Sequence, residues 1–527
     1  MIHPPRTSLL QDIASHRALV AIVCTGVLFS FFVGLGSVPL FDLDEGAFSE
    51  ATREMLERGD YISTFLNGQP RYDKPVLIYW LQAVSVIVFG INEFAFRLPS
   101  ALCATLWVVF VFLFVRRVRD TRTGLVAAGF TATAAGITVI GRAAIADALL
   151  NMLLVAACTS AYLYFAERDR RWLRAAFVAI GFRLLAKGPV AVLIPLATTF
   201  LYSLTRRELG VWVRAVFDPV GIGLMLAIAA PWYAAQYWKE GDAFIRGFLF
   251  KHNVDRFSAP MHGFRGSVFF YVPWLFVATL PFLSPLLHAL RNAGSLWRDQ
   301  AGRFCLLWFL FVFLFFSLSG TKLPHYAFYG YTGVFVAMAL TSSGLRSPVL
   351  SLLPALLLFL GLLGIPTLID TLSPGVQDPY YREALAAIPG KLGSPFMVIA
   401  VALALSTLLS MLSMRRIDIE TKLLLAGAGL AAIMALFVLP VAGDAQQSPI
   451  KEAAMIARER GYRVVMWGLD TPSFIVYSGA LVEKRDPRPG EIALAKVKRL
   501  HELPGYEILF RKHGIALVRV TGRASDG

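Results

Sequence analysis

The feature that most limits this chain is the alternation of long apolar runs with short arginine-bearing stretches. Ala18–Leu40, Val349–Pro366 and Leu423–Pro440 each approach the ~20 apolar residues needed to cross a hydrocarbon core. Of 527 residues, 57% are hydrophobic and 16% are charged; soluble globular chains carry about 25% charged residues. This pattern predicts an all-α polytopic membrane protein. The formal net charge of +15 would suit nucleic acid, but most of the positive charge sits in short loops between apolar spans. Loop charge of that kind follows the positive-inside rule and excludes nucleic acid as a partner. Cys24, Cys103, Cys158 and Cys305 lie in apolar runs without metal-ligand spacing and read as small buried hydrophobes. Ala18–Leu40 follows a basic N-terminus, yet it is too long for a signal-peptide core, and Val38-Pro39-Leu40 is no small-residue cleavage site. It reads as a retained first helix.

Loop charge then sets the topology. Basic residues cluster at Arg6/Arg17, Arg116–Arg122, Arg168–Arg174, Arg206–Arg214, Arg291–Arg303, Arg346 and Arg415–Lys422, all expected in the cytoplasm. The chain must cross twice between consecutive clusters. Loops 42–75, 139–147, about 185–188, 236–268, 319–325 and 368–393 are therefore expected outside, with the tail beyond about 443. Val76–Ile91 is apolar but short, and a full crossing there would invert every later loop. It reads as a re-entrant or interfacial helix on the outer side of a juxtamembrane loop, 42–92. The expected count is about 13 spans, with the N-terminus in and the C-terminus out. Residues 1–443 form the membrane domain in this reading, and 444–527 form a small α+β domain outside it. In the tail, Ser448-Pro449 and Thr471-Pro472 are helix starts, Arg463–Trp467 is a strand, and Tyr506–Phe510 with Ile515–Val520 is a hairpin.

Acidic groups collect where basic ones do not. The outer loop 42–75 holds Asp42, Asp44, Glu45, Glu50, Glu54, Glu57, Asp60 and Asp73. Asp44-Glu45 follows a span directly, where a bare carboxylate is costly unless it is paired, hydrated or functional. Ser49–Gly59 has helical character and a glycine stop, so Arg53 can pair along that helix or face a ligand. Asp147 closes another outer loop and suits both a helix cap and a catalytic acid. Lys187, the tract Lys251–Phe257 and Lys322 put cations on three further outer loops, against the charge trend. Cations gathered from separate loops suit a phosphate-bearing ligand.

These residues also resemble a known family. Asp44-Glu45-Gly46-Ala47-Phe48-Ser49-Glu50-Ala51-Thr52-Arg53-Glu54-Met55 is similar to the opening motif of the aminoarabinose (lipid A) transferases, which belong with the protein O-mannosyltransferases in the GT-C superfamily. Leu66-Asn67-Gly68, Tyr72-Asp73-Lys74-Pro75, Arg97-Leu98-Pro99-Ser100, Lys187-Gly188-Pro189, Pro231-Trp232-Tyr233, His252 with Arg256-Phe257, and Lys322-Leu323-Pro324 continue it in order over roughly residues 20–345. The resemblance implies a GT-C helical bundle and a sugar donor on a polyprenyl phosphate. It implies catalytic roles for Asp44 and Asp147, with Glu45 beside them. It places Lys74 and Lys187 on the carrier phosphate, joined by the outer-loop cations Arg256 and Lys322, and gives Arg53, Tyr72 and Tyr326 to substrate. Asp73 and His252 match a Glu/His pair able to hold a divalent metal, with Asp73 one methylene shorter; no other cofactor is expected. Where lipid A enzymes carry Arg after the Asp-Glu motif, this chain has Ala47.

The expected function is an integral glycosyltransferase of the bacterial inner membrane. It would move a sugar from its carrier to a lipid A-like lipid, a glycan or a protein at the periplasmic face. A polyprenyl-linked oligosaccharide polymerase or ligase is the nearest alternative. A lipid-linked sugar transporter fits less well, because its charges would lie near the midplane. The topology predicts that a reporter fused after Arg119 stays cytoplasmic; external exposure of that reporter would overturn the assignment of every later loop.

Overall fold

The computed structural model describes residues 13–248, 266–413 and 417–522. The first apolar run is helical only at its start. Helix α1 (Arg17–Val27) continues through a π-helical turn, Leu28–Phe32, and then unwinds. Gly34, at φ +66°, turns the backbone out of the helix. Residues 33–40 therefore run without helical hydrogen bonding, and their buried carbonyls need other donors. The chain becomes helical again as α2 (Asp44–Arg58), which begins earlier than the expected Ser49. Asp44 and Glu45 occupy its first turn, where the helix dipole favours anions. Gly59, at φ +62°, ends it with a left-handed cap, as the sequence implied.

Helix α3 (Leu77–Phe89) has 13 residues, or about 20 Å at 1.5 Å per residue, too short to cross. It packs between α2 and α4 (Glu93–Val118). A bent pair follows, α5 (Thr121–Thr133) and α6 (Ala135–Gly141), inclined at 68°. Next come α7 (Asp147–Glu167), α8 (Arg170–Lys187), α9 (Val190–Thr205) and α10 (Pro219–Glu240). Helices α11 (Gln300–Leu318), α12 (Phe328–Ser342), α13 (Pro348–Leu372), α14 (Ser394–Leu412) and α15 (Ile419–Ile433) complete the membrane part. Among the described residues, seven helices are long and apolar enough to cross, or eight if the bent pair is one span. The expected count near 13 would need shorter apolar segments such as Arg17–Phe32 and Val190–Thr205 to cross as well. Three cysteines are buried, but Cys24 is exposed on α1, contrary to expectation.

The two ends of the bundle differ in chemistry. At one end, ion pairs tie distant loops together: Arg117–Glu167 and Arg119–Asp299 at 2.6 Å, Arg122–Glu420 at 2.8 Å and Arg168–Glu208 at 2.6 Å. Asp44 and Asp147 belong to the other end. Helix α4, with 26 residues, separates the two ends by about 39 Å.

The tail folds as α16 (Ser448–Glu459), α17 (Pro472–Ser478) and five strands, β1 (Val464–Trp467), β2 (Glu483–Lys484), β3 (Ile492–Lys496), β4 (Tyr506–Lys512) and β5 (Ile515–Val520). The order is β2-β1-β3-β5-β4, parallel around β1 and antiparallel beyond β3. Ile450, Met466, Phe474, Leu494 and Leu517 form its core. Ser448 is not the cap; Gln447 precedes the helix and the Ser448 hydroxyl donates to Asp444 at 2.6 Å.

Close helix contacts leave some positions no room. A Cβ on Gly333 of α12 would lie 2.5 Å from the Cys305 carbonyl of α11. Gly333→Val is expected to destabilise the bundle by about 1–3 kcal/mol through overpacking. A thermal-unfolding midpoint in detergent equal to wild type would refute that packing.

Candidate active site

Arg97 organises the site. It leaves α4 buried and donates to the carbonyls of Leu35 at 3.1 Å and Pro39 at 2.9 Å, and to that of Val38. It also makes a two-pronged bond to the Glu45 carboxylate at 2.8 and 2.6 Å. Glu45 accepts in addition from the Phe41 N–H at 2.8 Å and the Ala144 N–H at 2.6 Å. Burial alone would push the Glu45 carboxyl up, but Arg97 and these N–H groups hold it below the usual carboxylate range. A carboxylate so fully engaged is a poor proton carrier, and it fixes the start of α2 instead.

Asp44, one residue earlier, is exposed. Among the described residues its carboxylate makes no hydrogen bond. It opens onto a cavity of about 240 Å³ lined also by Asp42, Glu45, Arg97, Arg142 and His325. Arg142 is buried; one of its nitrogens donates to the Val33 carbonyl at 2.7 Å.

Asp147 is the first residue of α7 and not its cap, which is Ala146. Its carboxylate accepts from the Tyr329 hydroxyl at 2.7 Å, and the same hydroxyl accepts from Lys187 Nζ at 3.0 Å. Lys187 also lies 5.3 and 5.4 Å from the ring centres of Tyr326 and Tyr329. His325 is half-buried beside this relay and feels the charges of Asp147, Lys187, Asp44 and Lys74. Burial lowers its pKa and favours the neutral imidazole. Asp44, Asp147, Lys74 and Lys187 are thus brought together, and Tyr326 lies against them.

Other expected residues stand differently. Arg53 is buried on α2 and paired with Glu50 at 2.7 Å and with Glu57, so its charge serves its own helix. Lys322 donates to the carbonyls of Ser317 at 2.6 Å and Ser319 at 2.9 Å, closing the end of α11. Tyr72 donates to Glu240 at 3.0 Å. Asp73 lies 3.5 Å from Arg71, a cation where a metal would need a further anion. Among the described residues no group of three or more His, Cys, Asp or Glu is close enough to hold a metal. His252 and Arg256 lie outside the described residues.

Sequence reasoning missed His325, Tyr329 and Arg97 as site residues. Arg97 sits inside a family-like tract and His325 directly follows another, Lys322-Leu323-Pro324; a histidine three residues from a lysine in an outer loop was an available signal. Tyr329 stands out only as part of Tyr329-Gly330-Tyr331, a departure from the family's pattern, and not as a site residue.

A family model described as dolichyl-phosphate-mannose-protein mannosyltransferase matches residues 73–234. The undecaprenyl phosphate-alpha-4-amino-4-deoxy-L-arabinose arabinosyl transferase of Shewanella sediminis is 29% identical over 320 residues, 58% of this chain and 57% of that protein. The chain therefore spans little more than half of that relative's length. A protein of Aquifex aeolicus is 31% identical over 315 residues, 59% of this chain and 70% of its own. The crystal structure of ArnT from Cupriavidus metallidurans bound to undecaprenyl phosphate superposes with a TM-score of 0.80 at 19% identity, covering 98% of this chain and 100% of that one.

The Glu45–Arg97 pair makes a clear prediction. Glu45→Ala leaves a buried guanidinium half-unpaired and is expected to cost about 3–5 kcal/mol. Unfolding of the purified variant at the wild-type midpoint would show that the pair does not hold the loop.

Proposed function

We propose that this chain, which belongs to the GT-C glycosyltransferase superfamily, moves a sugar from a polyprenyl-phosphate carrier to an acceptor of the bacterial envelope. One observation carries the reading: an exposed carboxylate, Asp44, shares one end of a membrane bundle with the Lys187–Tyr329–Asp147 relay and Lys74. Phosphate is already a good leaving group, so the protein has mainly to stabilise its departing charge. Lys187 and Lys74 do that, because both act electrostatically on His325, which lines the cavity of Asp44. Asp44 orients the acceptor hydroxyl and takes its proton as the anomeric carbon is attacked. Where the acceptor is itself a phosphate, no base is needed and Asp44 stabilises the positive charge developing on the sugar ring. Asp147 holds the Tyr329 hydroxyl, and through it the position of Lys187.

Glu45, Arg53 and Lys322 are assigned structural roles, since their charges are consumed by Arg97, by Glu50 and Glu57, and by backbone carbonyls. Tyr72 and Asp73 are assigned to the donor side. The matched family model and the S. sediminis relative name different sugars, mannose and aminoarabinose, on polyprenyl-type phosphates. The carrier is their common element, so the reading commits to the carrier and leaves the sugar open. The bundle end rich in Arg117, Arg119, Arg122 and Arg168 is placed in the cytoplasm by the positive-inside rule. Asp44 and residues 444–527, as a separate small domain, then lie in the periplasm.

Asp44→Asn, reconstituted in vesicles with undecaprenyl-phosphate aminoarabinose and lipid A, is expected to lose at least ~10²-fold in kcat. Donor affinity should change little. Transfer near the wild-type rate would remove Asp44 as the central acid.

A further inference from the structure

We infer that Ser473, on the C-terminal sheet unit, acts through Asp42 as a positioning residue for Asp44. The inference rests on Asp44 being the reacting acid. Asp42 accepts from the Ser473 backbone N–H at 2.9 Å and from the Ser473 hydroxyl. Nothing stands between the two elements. A Cβ on Gly46 would collide with Asp42 Oδ1, and would lie 2.5 Å from Ser473 N and 3.1 Å from the Pro472 carbonyl carbon. The first turn of α2 thus meets the start of α17 at a position where only glycine fits.

Asp44 has no hydrogen bond of its own among the described residues, so its place is set by its neighbours. Two anchors flank it. On the bundle side, Glu45 is held by Arg97 at 2.6 Å. On the tail side, Asp42 is held by Ser473. The turn between them is closed by the Phe41 N–H on Glu45 at 2.8 Å and the Gly46 N–H on the Phe41 carbonyl at 3.2 Å. Docking of the tail does not need Ser473. Tyr477 donates to Glu93 at 3.0 Å and accepts from the Leu40 N–H at 2.7 Å. Lys451 pairs with Glu93, and Asn67 and Val482 exchange two bonds at 2.7 and 2.9 Å. The Ser473 bonds are therefore surplus to docking and bear directly on the residue two before Asp44.

The clasp also has a pH dependence. Burial raises the Asp42 carboxyl to about 7; the two Ser473 bonds pull it down, and Asp470 and Glu45 push it up. Tyr380 also faces it, and Asp44, Arg97, Arg142 and His325 line the same cavity. Above that pH Asp42 is a carboxylate that both Ser473 donors hold; below it the clasp weakens. Removing Ser473's hydroxyl removes a downward pull, so the acid-side loss of activity should move to higher pH.

The test uses the full chain in lipid nanodiscs, comparing Ser473→Ala and Ser473→Thr with wild type. Ser473→Ala is expected to speed amide hydrogen exchange across residues 40–48 several-fold while α16 and the strands keep wild-type protection. With undecaprenyl-phosphate aminoarabinose and lipid A as probes, kcat should fall on the order of tenfold, with KM nearly unchanged. The acid limb should shift upward, and Ser473→Thr should restore all three readouts. Wild-type exchange at 40–48 would overturn the inference, and so would wild-type kcat where the probes are turned over. Loosening spread through 448–522 would also overturn it, since Ser473 would then only hold the tail together. If wild-type protein fails to turn over the probes, the proposed function fails on them, and the exchange measurement alone decides the role of Ser473.

Discussion

Arg97 is the residue on which the rest of this structure depends. Unwinding α1 after Phe32 frees backbone carbonyls from helical partners, and a buried carbonyl left unpaired is costly. Arg97 supplies donors to three of these carbonyls and uses its other bonds on Glu45. One guanidinium thus makes an unwound segment tolerable and pins the helix that carries Asp44. Its rigid fork suits the work; a lysine would offer three donors from one point and no two-pronged grip on the carboxylate. Arg142 repeats the device once, on the Val33 carbonyl. The irregular backbone is what lets α2 leave the first span sideways and lay its N-terminus over the cavity.

Much of the fold was legible because it follows from local chemistry. Gly59 as the end of α2 needs only the left-handed cap that glycine favours, and Ile515–Val520 needs only alternation beside a turn. The length of 76–91 was enough to argue against a full crossing, and α3 is shorter still at 13 residues. Errors arose where a long-range partner decides. Unbroken hydropathy hid the break after Phe32, because Val33, Leu35 and Val38 are as apolar as the helix before them. Ser448 looked like a cap until Asp444 took its hydroxyl.

The candidate site was half legible for the same reason. Asp44, Asp147 and Lys187 stand out by position, as charges at the edges of apolar runs. The sequence could not say which charges are spent. Glu45 differs from Asp44 by one residue and one methylene, yet one is locked to Arg97 and the other is exposed on the cavity. Lys322 has the same side chain as Lys187, yet it closes a helix end. Tyr329 carries no local sign of a site role, since its value lies in a bond to Asp147, 182 residues away.

Tyr329 also bears on how opposite charges share a small site. A direct contact between Lys187 and Asp147 would tie the ammonium to a carboxylate in a region of low dielectric, where breaking such a pair is expensive. The hydroxyl instead accepts from Lys187 and donates to Asp147, so each charge is satisfied through a neutral group. Under the proposed function, a carrier phosphate that reaches Lys187 meets an ammonium already hydrogen-bonded to a phenol oxygen. Asp147 meanwhile keeps the phenol oriented through its own hydrogen bond. The arrangement suits the proposed binding and release of a charged carrier.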